Sequence, residues 1–456
     1  MDTDQPREGQ SVHWAAPAAD GPVRARLTLP GSKSMTNRAL VLAALADRPG
    51  VIEGPLRARD TLLMVRALTA LGVAVEEGGG EPAGPDTTQR WRVIPGQPDG
   101  DTRVDVGNAG TVMRFVPPVA ALTGVAVEFH GDARASERPV APILAALREL
   151  GAVIDDGRRG AVPFTVRGSG SLAGGVVTLD ASASSQLISG LLLAAPRYDK
   201  GAEVRHRGGR VPSAPHIAMT VQMLRQAGAE VETAWRQPDK PGHPAGDGVA
   251  DTWRVHPGVI GSRTQSVEPD VVNAVPFLAA ALVTGGTVTI RDWPRQTTQP
   301  AGQIVDLLTR IGARCETTAD GLTVTGTGTL DGITADLGDV PELTSVLAAV
   351  AALADSPSRF TGIAHIRRQE TDRLAALATE INALGGGVTE LADGLAIDPR
   401  PLHGGVFASY DDHRLVMAAA VLGLAVPGVE VQNAATVGKT FPEFTSLWAA
   451  MVEGGP

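Results

Sequence analysis

A chain of 456 residues that is 43% apolar but only 4% aromatic must build its cores from alanine, valine and leucine, and 54 glycines with 33 prolines supply many tight connections. A formal charge of -10 argues against nucleic acid or an anionic membrane as the main partner, since either would want a basic face. The lone Cys315 excludes an intramolecular disulfide and a cysteine-built zinc site, no secretory leader is visible and no apolar run reaches a membrane span, so a cytoplasmic protein is expected.

In chain order, residues 1–20 read as a polar, flexible arm. "LPGSKSMTNRAL", residues 29–40, then puts a glycine, two serines, Lys33 and Arg38 at the front of a helix that is otherwise apolar nearly all round, the mark of a buried helix. It is not a nucleotide-binding P-loop, because Ser32 separates Gly31 from Lys33 and the upstream glycine is missing. An amphipathic helix follows and stops at Gly72 in "ALTALGVAV". The phrase returns as "ALRELGAVI", "MLRQAGAEV", "LLTRIGARC" and "EINALGGGV", stopping at Gly151, Gly228, Gly312 and Gly385. Spacings of 73 to 84 residues are too regular for chance. Strands follow through turn-rich connections, of which "EEGGGEPAGPDTT" and "RQPDKPGHPAGDG" are expected to be exposed loops. Upstream of the amphipathic helices lie buried ones with polar openings, six in all, the later five starting at "GNAGTVMRF", "SASSQLISG", "EPDVVNAV", "VPELTS" and "YDDHRLV". The unit is strand, buried helix, strand, amphipathic helix and two strands. Six such units fit two globular bodies of three better than a solenoid, whose repeats run to roughly 20–45 residues.

A helix start leaves N–H groups unpaired and carries partial positive charge, so it attracts phosphate and carboxylate. Ser32, Ser34, Ser184 and Ser185 each pass as ordinary caps. The cations are the stronger signal. Lys33 and Arg38, Arg114, Arg373, and His413 with Arg414 all stand near helix starts, where a cation is unfavourable unless an anion neutralises it. Asp372, Asp411 or Asp412 can supply that anion, and so can a bound ligand.

"LPGSKSMTNRAL", "GNAGTVMRF", "SERPVAP", "ASASSQ", "ETDRLAALATEI", "DDHRL" and "KTFPEF", in this order from about residue 25 to residue 448, resemble the 5-enolpyruvylshikimate-3-phosphate (EPSP) synthase family. The resemblance implies an α/β fold, a two-domain inside-out α/β barrel of six βαβαββ units, three per domain, with the active site in the interdomain cleft. Residues 33–265 would form the first domain, and residues 1–32 with 266–456 the second. It also implies a reaction, transfer of the enolpyruvyl group of phosphoenolpyruvate to the 5-hydroxyl of shikimate 3-phosphate with release of phosphate, by a monomer using neither metal nor organic cofactor. By motif match, shikimate 3-phosphate would be held by Lys33, Ser34, Arg38, Ser184, Ser185, Gln186 and Ser213, with Glu342, His365 and Gln369 beside it. Phosphoenolpyruvate would meet Lys33, Gly110, Arg138, Gln186, Arg373, Arg414 and Lys439. Glu342 matches the base for the hydroxyl, and Glu370 or Lys33 the acid for the methylene carbon.

Five positions depart from the family pattern. Glu342 stands where aspartate is frequent, Gln369 where lysine is common, His365 and His216 where asparagine and tyrosine are common, and Phe115 where proline is common. Three rivals are weaker. RNA phosphate cyclases share related repeats, but the acidic balance and the missing nucleotide motif disfavour them. UDP-N-acetylglucosamine enolpyruvyl transferases carry a reactive cysteine in the loop that reads "HGDARASERP" here, and a non-catalytic binding protein would have no use for Lys33, Glu342, Glu370 and Arg373 together.

Overall fold

The computed structural model describes residues 13–78, 89–234 and 251–454, so most of the two expected surface loops and the first twelve residues of the expected arm lie outside the described residues. Twelve α-helices alternate between buried and amphipathic. They are α1 (Lys33–Ala44) and α2 (Arg59–Ala70), α3 (Gly110–Ala120) and α4 (Ala141–Glu149), α5 (Gln186–Ala194) and α6 (Pro215–Gln226), α7 (Val271–Thr284) and α8 (Ala301–Ile311), α9 (Thr344–Ala352) and α10 (Arg373–Ala383), α11 (His413–Ala425) and α12 (Phe444–Val452). The odd-numbered helices are the ones buried over most of their length. Every residue of α3 and of α9 is buried.

Five sheets have four strands and one has three. In the unit built around α9 and α10, Thr334–Asp336 runs parallel to Ser358–Thr361, and the hairpin Val388–Leu391 with Gly394–Ile397 closes the sheet antiparallel. The parallel pair is joined through the buried helix and the hairpin follows the amphipathic one, which is the βαβαββ unit expected. All five stop glycines adopt left-handed φ, from 85° at Gly72 to 116° at Gly312, where a side chain would be strained.

Two units exchange their first strands. Arg24–Leu27 lies parallel to Thr287–Arg291, in the sheet that follows α7, while Thr264–Ser266 lies parallel to Gly50–Glu53, in the sheet that follows α1. The chain therefore passes between the two halves twice, and the two passages are paired: Ser32 N donates to Glu268 O at 2.8 Å and Asp270 N to Pro30 O at 3.0 Å. Gly31 is required here, because a Cβ would lie 2.0 Å from the carbonyl oxygen of Gly54. In the three-stranded sheet, Gly405–Ala408 runs parallel to Val429–Gln432, and His13–Ala15 adds antiparallel along the other edge. Residues 13–15 of the expected flexible arm are thus a strand. The open edge of Val429–Gln432 satisfies their backbone, and Ala16 is buried behind them.

Buried apolar side chains form two separate clusters, one from residues 35–260 and one from residues 16–29 together with 271–451. Phe129 stacks on Phe164 in the first, and Phe277, Phe441, Phe444 and Trp448 pack edge and face in the second. The halves touch across the cleft, where Arg210 bridges Asp336 at 2.8 Å and Asp339 at 2.9 Å and Ser213 N donates to Gly338 O at 2.9 Å. Among the described residues no helix is long and apolar enough to cross a membrane.

Candidate active site

All six buried helices begin on one cleft. Lys33 and Ser34 line it from α1, Gly110 and Thr111 from α3, Ser184 and Gln186 from α5, Asp270 and Val272 from α7, Glu342 from the turn before α9, and His413 and Arg414 from α11. The starts are not equivalent. Asp270 caps α7 by accepting from Val272 N and Asn273 N, and Asp412 caps α11 by accepting from Arg414 N. By contrast, the N-cap residues of α1, α3, α5 and α9 make no side-chain capping bond, although Lys33 N at the head of α1 donates to Asp270 and Gln186 N at the head of α5 to Ser184 Oγ at 3.2 Å.

Six cationic side chains line the cleft against four carboxylates. Lys33 Nζ pairs with the buried Asp60 at 3.3 Å, and its backbone N–H donates to Asp270 at 3.1 Å. Arg138 donates to Asn108 O and Oδ1 at 2.7 and 2.9 Å, Arg114 to Pro139 O and to Gln186 Oε1 at 2.9 Å, and Arg414 to Asn273 Oδ1 at 3.3 Å. These three and Arg368 have no carboxylate within ion-pair distance among the described residues. Burial, with Arg138 beside it, pushes the Arg114 guanidinium down to about 9, and burial lowers Arg414 against the fields of Asp270, Glu342 and Asp412, which lie beyond ion-pair distance. Gly110 lets two of these groups close on its helix start, since a Cβ there would lie 2.7 Å from Arg114 Nη1 and 2.8 Å from Arg138 Nη2.

The opposite wall is pre-neutralised. Arg373 forks onto Asp412, with Nε at 2.6 Å and Nη2 at 3.2 Å, and also donates to Glu370 at 2.8 Å and to Gln369 Oε1. Glu370 takes Lys439 Nζ at 2.8 Å on its other oxygen. Burial pushes Glu370 up, but Lys439, Arg373 and Arg138 outweigh it and hold the carboxyl well below the usual range. Glu342 is likewise held down: burial opposes ionisation, and His216, its own backbone N–H, Arg414 and His365 overcome it. Ser213, with φ of 51°, donates to Glu342 Oε1 at 3.3 Å from the other half of the molecule. His365 lines the cleft with a buried Nε2 that has no hydrogen-bond partner.

Of the residues singled out from the sequence, Lys33, Ser34, Gly110, Arg138, Ser184, Gln186, Glu342, His365, Gln369, Glu370, Arg373 and Arg414 line the cleft. Lys439 reaches its edge through Glu370 and Asn108 O, and Ser213 through Glu342. Arg38 and Ser185 stand behind the wall. Arg38 is 1% exposed and is satisfied by Thr220 Oγ1, Ser34 O, His216 O and Ser189 Oγ, with its guanidinium 5.2 Å from the centre of the Phe115 ring. Asp60 and Arg368 line the cleft without having been singled out. An acid in the first turn of an amphipathic helix looks in sequence like ordinary dipole pairing, so Asp60 gave no signal. A grouping with metal-ligand geometry among the described residues, Glu230, Glu232 and His256, lies on an exposed hairpin away from the cleft.

Residues 17–448 match the family model described as EPSP synthase (3-phosphoshikimate 1-carboxyvinyltransferase). Two solved structures of EPSP synthase from Acinetobacter baumannii are 24% identical, each covering 96% of this chain and 97% of its own, with TM-scores of 0.75 and 0.74. The enolpyruvyl transferase NikO from Streptomyces tendae is 16% identical over 95% of this chain and 96% of its own, with a TM-score of 0.69. At such identities the solved structures speak for the fold, which is the inside-out α/β architecture expected.

Proposed function

The chain belongs to the EPSP synthase family of enolpyruvyl transferases, and from this premise we propose that it moves the enolpyruvyl group of phosphoenolpyruvate to the 5-hydroxyl of shikimate 3-phosphate. The observation that carries the reading is the convergence of six helix starts on a cleft whose Arg114, Arg138, Arg368 and Arg414 lack carboxylate partners, an environment suited to two polyanions at once. In this reading the first half of the molecule, residues 33–265, anchors the acceptor's phosphate near the start of α5 through Ser184 and Ser213, and Ser185, behind the wall, must turn toward the cleft to join them. The second half binds phosphoenolpyruvate through Arg373, Arg414 and Lys439, joined by Arg138 and Gly110 from the first.

The chemistry is addition followed by elimination. Glu342, held ionised, takes the proton of the 5-hydroxyl as its oxygen bonds to C2 of phosphoenolpyruvate, while a proton is delivered to the methylene carbon. The resulting tetrahedral intermediate loses that proton from the new methyl group and expels phosphate, restoring the carbon–carbon double bond in the product. Glu370 is committed as an anion to Arg373 and Lys439, so we assign delivery of the carbon-bound proton to the Lys33 ammonium. The Lys33 amine takes a proton back from the new methyl group, and the Glu342 carboxyl passes the hydroxyl's proton to the departing phosphate, so both groups end as they began. The unpaired arginines oppose the charge that gathers on the leaving phosphate, where loss of one such donor costs about 3 to 4 kcal/mol.

A phosphate-release assay with phosphoenolpyruvate and either shikimate 3-phosphate or UDP-N-acetylglucosamine tests the reading. Release with shikimate 3-phosphate alone supports it. Release only with the nucleotide sugar overturns the acceptor and keeps the reaction class, and release with neither overturns the acceptor as well.

A further inference from the structure

Helix α10 starts on the cleft at Arg373 and carries Glu380 two turns later on the same side, a carboxylate that the chemistry above does not use. Glu380 is buried, and the segment leading into α11 takes up both its oxygens: Oε2 accepts from Ala408 N at 2.8 Å and Oε1 from the Tyr410 hydroxyl at 2.6 Å. Immediately beyond these anchors the backbone is strained. Tyr410 and Asp411 have φ of 51° and 56°, a region that residues with side chains adopt rarely and that two in succession adopt only under constraint. Asn433 Nδ2 donates to Asp411 Oδ1, and Asp412 N closes a turn onto Ser409 O at 2.9 Å.

What this strained path delivers is Asp412. Its carboxylate is fully buried, caps α11 at Arg414 N at 2.8 Å and receives the fork of Arg373. Arg373 holds Glu370, and Glu370 holds Lys439. Helix α10 therefore grips the segment twice, through Glu380 at one end and through Arg373 and Asp412 at the other. A shift of residues 408–411 would be passed directly to the groups that face the cleft.

We propose that Glu380 and Tyr410 are positioning residues: by clamping residues 408–411 against α10 they set Asp412, and through Asp412 the guanidinium of Arg373 and the carboxylate of Glu370. The hydrogen bond to Glu380, with burial adding to it, pushes the Tyr410 phenol up to about 12, so the clamp keeps its proton throughout the neutral range. The kinetic consequence rests on the enolpyruvyl-transfer reading, and the structural one does not.

Three variants separate the contacts. Y410F removes one hydroxyl and keeps the ring, E380A removes both bonds, and E380Q leaves an oxygen for Ala408 N and an amide for the phenol. In the phosphate-release assay the KM for phosphoenolpyruvate should rise roughly tenfold in Y410F and further in E380A, with the KM for shikimate 3-phosphate within about twofold of wild type and E380Q close to wild type. Loss of thermal stability with an unchanged KM for phosphoenolpyruvate would make both residues plain structural supports and overturn the proposal. A double-mutant cycle on unfolding, Y410F against D412N, needs no turnover: coupling supports the clamp and additivity overturns it. If the wild-type protein releases no phosphate with any acceptor, the functional reading falls, and the cycle alone decides the clamp.

Discussion

Glu342 is the residue on which the proposed chemistry turns, and its setting is unusual for a general base. It is buried yet held ionised, with Ser213 donating from the far half of the molecule and Arg414 supplying positive field. Glu342→Gln preserves the shape and an oxygen for Ser213 while removing the proton acceptor. Turnover in the phosphate-release assay is expected to fall by about 100-fold or more with little change in either KM, and near-normal turnover would exclude the role. Position 369 is legible in a different way. A glutamine where the family commonly has lysine reads in sequence as a lost cation, but its Oε1 accepts from Arg373, so this side chain helps hold an arginine that a lysine would repel. Sequence shows which residue types are present at a motif. It does not show that Arg38, whose spacing promises a ligand contact, meets Thr220 and Ser189 from two other helices and is saturated by them.

At the scale of elements, three histidines stand at or near helix starts with their pKa values lowered, first by burial and then by neighbouring cations: His216 in α6, His413 at the head of α11, and His365 in the 3-10 turn ahead of α10. Each is depressed below the unfolded value of about 6.5, so the unfolded chain binds the extra protons and stability must fall as pH drops below that value. The slope approaches about 1.4 kcal/mol per pH unit for each histidine still neutral in the fold. Urea unfolding at pH 7.5 and about 5.5, above the carboxylate range, should show this loss, and His413→Gln should reduce it by close to one proton's worth. An unchanged slope in the variant would mean that His413 titrates normally. The elements themselves were largely readable in advance. Apolar periodicity, polar openings and five glycines at a repeating interval specify buried helix, amphipathic helix and stop, because each is a local property of a few turns. The exchanged strands Arg24–Leu27 and Thr264–Ser266 were not readable, since a four-residue strand carries no mark of which distant edge it will join. His13–Ala15 was missed for the same reason, a three-residue strand being indistinguishable from an arm until its partner is known.

At the scale of the whole molecule, the proposed chemistry requires the halves to meet, because Lys33, Arg138 and Ser184 come from one and Glu342, Arg373 and Arg414 from the other. The bridge from Arg210 to Asp336 and Asp339 holds them together from the rim of the cleft, where exposed pairs contribute about 0 to 1 kcal/mol. Arg210→Ala should leave unfolding nearly unchanged, raise both KM values by about two- to fivefold and enlarge the radius of gyration in small-angle scattering. Shikimate 3-phosphate should contract it again and tighten binding of phosphoenolpyruvate. Equal radii and independent binding would dispose of coupled closure. The strand at the beginning of the chain adds a constraint of another kind. His13 pairs with Glu430, 417 positions later, so at about 5 to 20 residues per second the ribosome makes the partner roughly 20 to 80 s after the strand. The half built from residues 35–260 needs little beyond Thr264–Ser266 and can fold while synthesis continues. The other half must wait with its earliest strands unpaired. Lys439, on the proposed phosphoenolpyruvate wall, lies still later in the chain. Until that stretch is made the nascent protein carries one finished half and half of a cleft, which makes the second half the part most exposed to proteases and chaperones during its manufacture.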